Sequence, residues 1–296
     1  MNSSEQNSSQ NKELQALIQL MDEPDENFYN QIRNRIISYG NEAIPYLEEA
    51  WSHSLQPISQ KRIEILLHKL QFENIKNELS DWFTLGAGNL LLGYLIASKY
   101  QYPGLNEADV KKAFENIRMQ IWLELNHDLT AMEKVKVFNK ILFDVNEFEG
   151  DRKNYYSPLN TYINNVMESR KGNPLSLAMI FIILADMLDV PIFGVNLPDH
   201  FILAYMDTAS KQPWQNIRDA SVLFYINPFS GGAVFTKYEV EAFLAQMKLE
   251  PESNYFKPCS NVDIIIRLLQ NLINSYNALG NSIKASELGI LLKIFE

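Results

Sequence analysis

Apolar residues of the first third recur at helical intervals. Leu14, Leu17, Ile18 and Met21 lie at i, i+3, i+4 and i+7, one face of a helix. Pro24 and Asp25 open a second helix with Phe28, Ile32 and Ile36 on its inner stripe, and Gly40 closes it. Asn41 is placed to cap a third, carrying Ile44, Leu47 and Trp51. Two more follow, one with Ile63, Leu66, Leu67 and Leu70, the next with Ile75, Leu79 and Trp82. Short helices joined by short polar turns predict an antiparallel helical stack. Beyond Pro103 and Gly104, Val110, Phe114, Ile117 and Ile121 share one face, and Val135, Phe138 and Leu142 another. The polar run from Phe143 to Lys153, with Gly150 inside it, predicts a loop.

After Asn154 the pattern changes. Asn173 and Pro174 read as an N-cap followed by proline at the first helical position, where its missing N–H costs nothing. The helix from Pro174 to about Leu188 is apolar nearly all round, so it belongs at the centre of a core. Short β-type runs follow at Ile192–Asn196, Phe201–Met206 and Ser221–Ile226. Asn227-Pro228 and Gly231-Gly232 mark a turn, and Val234-Phe235 starts another strand. Lys237–Lys248 is an amphipathic helix with Val240, Phe243, Leu244 and Met247 inside. Val262–Phe295 forms two helices around Gly280-Asn281, with Leu268, Leu272, Ser275 and Tyr276 facing Ala285, Leu288 and Leu292.

Composition narrows the function. The 296 residues carry 36 acidic and 26 basic side chains, a net charge of −10, which repels phosphate backbones and makes nucleic acid a poor partner. The single cysteine, Cys259, can form neither an internal disulfide nor a thiolate metal cage, which suits a reducing, cytoplasmic location. Residues 1–12 are polar and low in complexity, and are expected to be a disordered tail without the basic and apolar regions of a signal peptide. The longest apolar stretch, Leu85–Ala97, is too short and glycine-rich for a membrane span and reads as a core helix, so no membrane partner is expected.

Candidate chemistry is sparse. His53, His68 and His127 lie on helical segments without a second ligand at metal spacing, and neither a GxxxxGK[ST] nor a GxGxxG loop is present, so neither metal nor cofactor is expected. His200 differs. It stands in LPDHFILAY, directly before an apolar strand. A histidine entering a strand beside a buried helix can face a nucleophile at that helix's N-terminus, the Cys–His layout in which imidazole and helix end lower a thiol pKa. Asn227, on the next strand end, is placed to hold a histidine tautomer.

Three segments in order carry a resemblance: YYSPLNTYINNVMESRKGNPLSLA (Tyr155–Ala178), LPDHFILAY (Leu197–Tyr205) and INPFSGG (Ile226–Gly232). They resemble the SirB-type transglutaminase-like family of bacteria, which reads YYxPxNSxLNxVLxxRxGxPxSLA, then PGHF, then DPFxGG. The resemblance implies a predominantly helical α+β fold whose papain-like core sets a central helix on a small antiparallel sheet. YGNEAIPYLEEAW, Tyr39–Trp51, also resembles a HEAT-type repeat, with a plain helical cap as the alternative, and the last two helices resemble a tetratricopeptide-type hairpin. The expected layout is a tail at 1–12, a helical HEAT-like segment at 13–97, a transglutaminase-like domain at 98–255 and a helical hairpin at 256–296.

The resemblance does not simply imply catalysis. Working members place Cys at the start of the central helix, fifteen residues before the glycine of an L-G-[IVF]-[PE] turn. The matching turn here is Leu188-Asp189-Val190-Pro191, and Pro174 stands fifteen residues before Asp189. Asn227 replaces the family's Asp. The nearest hydroxyl, Ser176, is two residues on, and at about 100° per residue it points about 200° away from position 174. Ser176 therefore reads either as a hydroxyl satisfying the first helical turn or as a displaced nucleophile. His200 is either a pocket residue or a histidine bonded to backbone, and Asn227 a histidine partner or an Asx turn before Pro228. Tyr155, Tyr156 and Asn160 are expected to pin the loop before the central helix, and Tyr156, Asn160 and Arg170 are the expected ligand contacts. Arg170 is expected to pair with a buried carboxylate or carry an anionic ligand. Cys259 lies outside all the motifs and reads as a packed thiol. Three functions follow: a non-catalytic protein- or peptide-binding regulatory module, an acyl hydrolase or transferase using Ser176, His200 and Asn227, or a ligand pocket lined by His200, Asn227 and Arg170.

Overall fold

The computed structural model describes residues 3–198, 200–207, 221–250 and 252–296. Met1 and Asn2 of the expected tail, Asp199 of LPDHFILAY and parts of the expected 98–255 domain lie outside them. Two compact units divide at residues 78/79.

In the first unit, α1 spans Ser3–Gln19 and takes in most of the stretch expected to be disordered. Once the turns carrying Leu14 and Ile18 are packed, each further residue adds a hydrogen bond without a new nucleus. Helix α2, Glu26–Ile37, starts from Asp25, whose carboxylate accepts the N–H groups of Asn27 and Phe28 at 2.8 and 3.0 Å. Its buried stripe is Tyr29, Ile32 and Ile36, whereas Phe28 is exposed. The Arg62 guanidinium, 3.7 Å from the Tyr29 ring centre, covers that stripe's first member. Gly40, at φ +57°, ends α2, and a 3-10 turn, Gly40–Ala43, leads into α3, Ile44–His53. Asn41 thus caps no helix; its side chain binds that of Asn74. The two helices expected across 63–82 are one, α4, Pro57–Thr84, because no glycine or proline interrupts the ladder.

The second unit opens with α5, Leu90–Lys99, the apolar stretch expected in the N-terminal segment. It belongs here because Gly93 lets the Trp82 ring approach and the Tyr94 hydroxyl donates to the Thr161 carbonyl at 2.7 Å. Among the described residues no helix is long and apolar enough to cross a membrane. Helices α6, Glu107–Glu124, and α7, Ala131–Asn139, bury the expected Val110, Phe114, Ile117, Ile121, Val135 and Phe138. A π-helical turn, Lys140–Val145, prolongs α7 into the expected loop. Strands β1, Glu149–Gly150, and β2, Lys171–Gly172, pair in parallel on either side of α8, Ile163–Ser169.

Helix α9, Pro174–Asp186, is buried from Pro174 to Ala185, as its all-round apolar surface requires. It packs on an antiparallel sheet of order β3-β4-β5-β6: Ile192–Leu197, His200–Met206, Val222–Asn227 and Ala233–Phe235. One face of the sheet carries Val195, Leu197, Ile202, Ala204 and Met206, packed with Val240 and Leu244 of α10, Lys237–Gln246. Phe201, Leu203 and Tyr205 alternate to the other face, toward α9. Of the expected inner residues of α10, Phe243 and Met247 are only half-buried. Helices α11, Asn261–Ala278, and α12, Ser282–Leu292, follow, and α11 also packs on β3. The fold is mostly helical with small sheets, of α+β type.

Candidate functional site

The leading tip of α9 is fixed by its own sequence. The Ser176 N–H donates to Asn173 Oδ1 at 2.8 Å, and the Asn173 N–H donates to Ser176 Oγ at 2.9 Å, a reciprocal cap. The Ser176 hydroxyl also donates to the Asn173 carbonyl at 3.2 Å. Pro174 occupies the first helical position. Gly172 leaves room for this cap, since a Cβ there would lie 2.6 Å from Ser176 Oγ. Asn173 Nδ2 donates to Thr161 Oγ1 at 2.9 Å, which ties the tip to the segment before α8. Asn160 is buried and does pin its loop, with Nδ2 donating to the Asn154 carbonyl at 2.8 Å and to Asp151 at 3.3 Å.

In front of this tip lies a cavity of about 680 Å³. Asn173, Pro174 and Leu175 line its floor, and His200 and Phe201 one side. The loop Arg152, Tyr155, Tyr156 forms a second side. The last wall is a stripe of α11: Arg267, Gln270, Asn271, Asn274 and Ser275. Spacing of i, i+3, i+4, i+7 and i+8 puts these five on one helical face, opposite the buried Ile265, Leu269 and Leu272. Position 174 and His200 therefore meet at one cavity, whereas Ser176 does not line it.

His200 starts β4, paired with Leu197, on the sheet face that α10 covers. Its ring lies 4.8 Å from that of Phe243, and its Nδ1 is buried without a hydrogen-bond partner among the described residues. No bond from Asn227 therefore fixes Nδ1. Leu203 pairs with Ile226, so Asn227 ends β5 short of the histidine. Asn227 instead starts the 3-10 turn Pro228–Ser230, and its carbonyl accepts the Gly232 N–H at 2.9 Å. Arg170 also lies off the cavity. It caps α8 at φ +61°, its guanidinium sits 4.8 Å from the Phe148 ring, and its Nη1 is buried without a partner among the described residues. Burial holds its pKa below the usual arginine value. Tyr156 lines the cavity and is 75% exposed. Of the three expected ligand contacts, Tyr156 is at the cavity, Asn160 lies behind it and Arg170 apart from it.

Arg152 and the α11 stripe were not singled out by the sequence. The stripe carried one signal, a polar spacing of i, i+3, i+4 and i+7 across Arg267, Gln270, Asn271 and Asn274. Cys259 is remote in chemistry, its thiol pushed up to about 12 by burial and by Asp263. No group of three or more His, Cys, Asp or Glu that could hold a metal is present among the described residues.

Sequence comparison supplies relatives. The chain is 29% identical over 143 residues to human F-box only protein 21, covering 48% of this chain and 22% of that protein. It is 31% identical over 150 residues to a UPF0162 protein of Xylella fastidiosa strain Temecula1, covering 48% of this chain and 49% of the relative. A UPF0162 protein of Vibrio cholerae is 28% identical over 152 residues, 50% of this chain and 51% of the relative. The chain thus spans about half the length of these bacterial relatives and about a fifth of the human one. No solved structure matches it. The sequence profile of the transglutaminase-like superfamily matches residues 108–270. That match takes in more than half of the chain, including the central helix and its antiparallel sheet, and the chain belongs to the transglutaminase-like superfamily.

Proposed function

We propose that this chain is a non-catalytic, SirB-type binding module that takes a protein or peptide partner at the cavity in front of α9 and serves a regulatory or scaffolding role in the cytoplasm. The supporting observation is Pro174: the residue at the helix tip, on the cavity that His200 also lines, carries no nucleophile. The helices of the first unit, read as HEAT-like, and α11 with α12, read as tetratricopeptide-like, are the flanking parts of such a module. Loss of a catalytic nucleophile commonly costs about 10⁴- to 10⁶-fold in rate, so residual transferase or protease chemistry is not expected. The alternative, an acyl hydrolase or transferase using Ser176, His200 and Asn227, requires the Ser176 hydroxyl to abandon both bonds to Asn173.

The test offers the full chain a panel of glutaminyl peptides, amides and activated esters. Background turnover, unchanged in His200→Ala, supports the module. Robust turnover abolished by His200→Ala or Ser176→Ala overturns it. Pro174→Cys adds a second arm: a thiol at a helix N-terminus on the cavity should alkylate faster than the buried Cys259.

A further inference from the structure

The charge of the cavity runs against that of the chain. The protein carries −10 overall, yet the described residues lining this cavity include Arg152, Arg267 and His200 and no aspartate or glutamate. Among the described residues neither guanidinium has a carboxylate partner. Arg267 Nη1 donates to Asn196 Oδ1 at a long 3.3 Å, and the Arg152 guanidinium lies 6.0 Å from the Phe229 ring centre. Elsewhere Arg35, Arg62 and Arg118 each hold a glutamate. Cations left without counter-ions in an acidic protein focus the local field toward anions.

We propose that this cavity is an oxyanion site, in which Arg152 and Arg267 hold a carboxylate or phosphate group of the ligand against the tip of α9. The proposal rests on reading the cavity as a binding site and names the chemistry of what it binds. Three independent features converge on it. The first is the arginine pair, whose planar forks match an oxyanion's geometry. The second is the helix end: α9 directs its positive pole at the cavity, and the Asn173–Ser176 cap and Pro174 leave the Leu175 N–H as the first-turn amide not taken up. The third is His200, which lines the same cavity and adds an imidazole to the two guanidinium groups on its wall. At about 680 Å³ the space exceeds an oxyanion alone. The Tyr155 and Tyr156 rings and the Asn271 and Asn274 carboxamides suit the amide-bearing body of an acidic peptide.

The test is a titration of the ¹⁵N-labelled full chain with inorganic phosphate and, separately, with glutarate, at ionic strength held constant with chloride. Arginine Nε–H and backbone amide signals are followed. Saturable shifts at Arg152, Arg267 and Leu175 are expected in at least one arm, and the tighter arm identifies the group as phosphate or carboxylate. Arg267→Gln should weaken that binding at least tenfold, while Arg118→Gln, on α6, leaves it unchanged. Shifts that never saturate in either arm, or that both variants reduce alike, overturn the oxyanion site. Acyl-substrate turnover by the same preparations removes the non-catalytic reading and leaves the oxyanion site standing. Absence of saturable binding without turnover does the reverse.

Discussion

Ser176 is held by its neighbour rather than offered to solvent. Its Oγ accepts the Asn173 N–H and donates to the Asn173 carbonyl, and the residue is 1% exposed. Ser176→Ala removes one side of a reciprocal cap and leaves the Asn173 N–H with only its longer bond, 3.3 Å, to the Asn160 carbonyl, a loss of about 1 kcal/mol read as a lower urea midpoint. The phosphate and glutarate titrations should not move, because the hydroxyl does not line the cavity. Cys259 makes the complementary case. With its thiol pushed up to about 12, only roughly 10⁻⁴ is thiolate at pH 8. Iodoacetamide should modify the native chain slowly, at a rate still climbing at pH 10, and quickly once urea unfolds it. The Asn173-Pro174 start of α9 was legible at this scale because caps are local in sequence. Arg152 and Arg267 were not, since they are 115 positions apart and only the fold brings them to one cavity.

Elements whose signals lie within one turn matched expectation most closely. The all-apolar α9, the strands from Ile192 and His200, and the break at Gly280-Asn281 fall within a few residues of their predicted places. Differences arise where tertiary packing or the absence of a breaker decides. α4 runs unbroken, α7 unwinds into a π turn instead of stopping, and α2 buries Tyr29 under Arg62 rather than Phe28. The glycine pair of INPFSGG is structural. Gly231 and Gly232 have φ of +66° and +74°, and a Cβ at Gly232 would collide with the Asn139 carboxamide, whose Nδ2 donates to the Gly232 carbonyl at 2.8 Å. Gly232→Ala combines left-handed strain with that collision and should cost at least about 2 kcal/mol. A lowered thermal midpoint with the far-UV spectrum retained below it is the expected readout. Gly231→Ala, with open space around its Cβ, should cost less.

Across the whole molecule, paired carboxylates set the response to acid. The Lys111 and Lys99 ammonium groups hold Glu107 below the usual carboxylate range, and the Asn154 N–H does the same for Asp151. Glu133 and Glu239 are lowered by the backbone N–H groups of Thr130 and Thr236. With folded values depressed, the unfolded chain binds more protons, so this stability is complete above the ordinary carboxylate values and is lost as pH falls through the folded ones. Asp186, pushed up by desolvation and by Asp189, works in the opposite sense. The net expectation is a urea midpoint that declines from about pH 5 toward pH 3. A circular-dichroism titration in urea checks it. The α11 side chains that wall the cavity, of which Gln270 and Asn274 are exposed, lie outside the three motifs that identify the core. Under the binding role proposed above, substitutions along that single ridge would change the clientele while rod, sheet and turn stay as they are, and descendants of one ancestral scaffold would be free to acquire different guests without refolding.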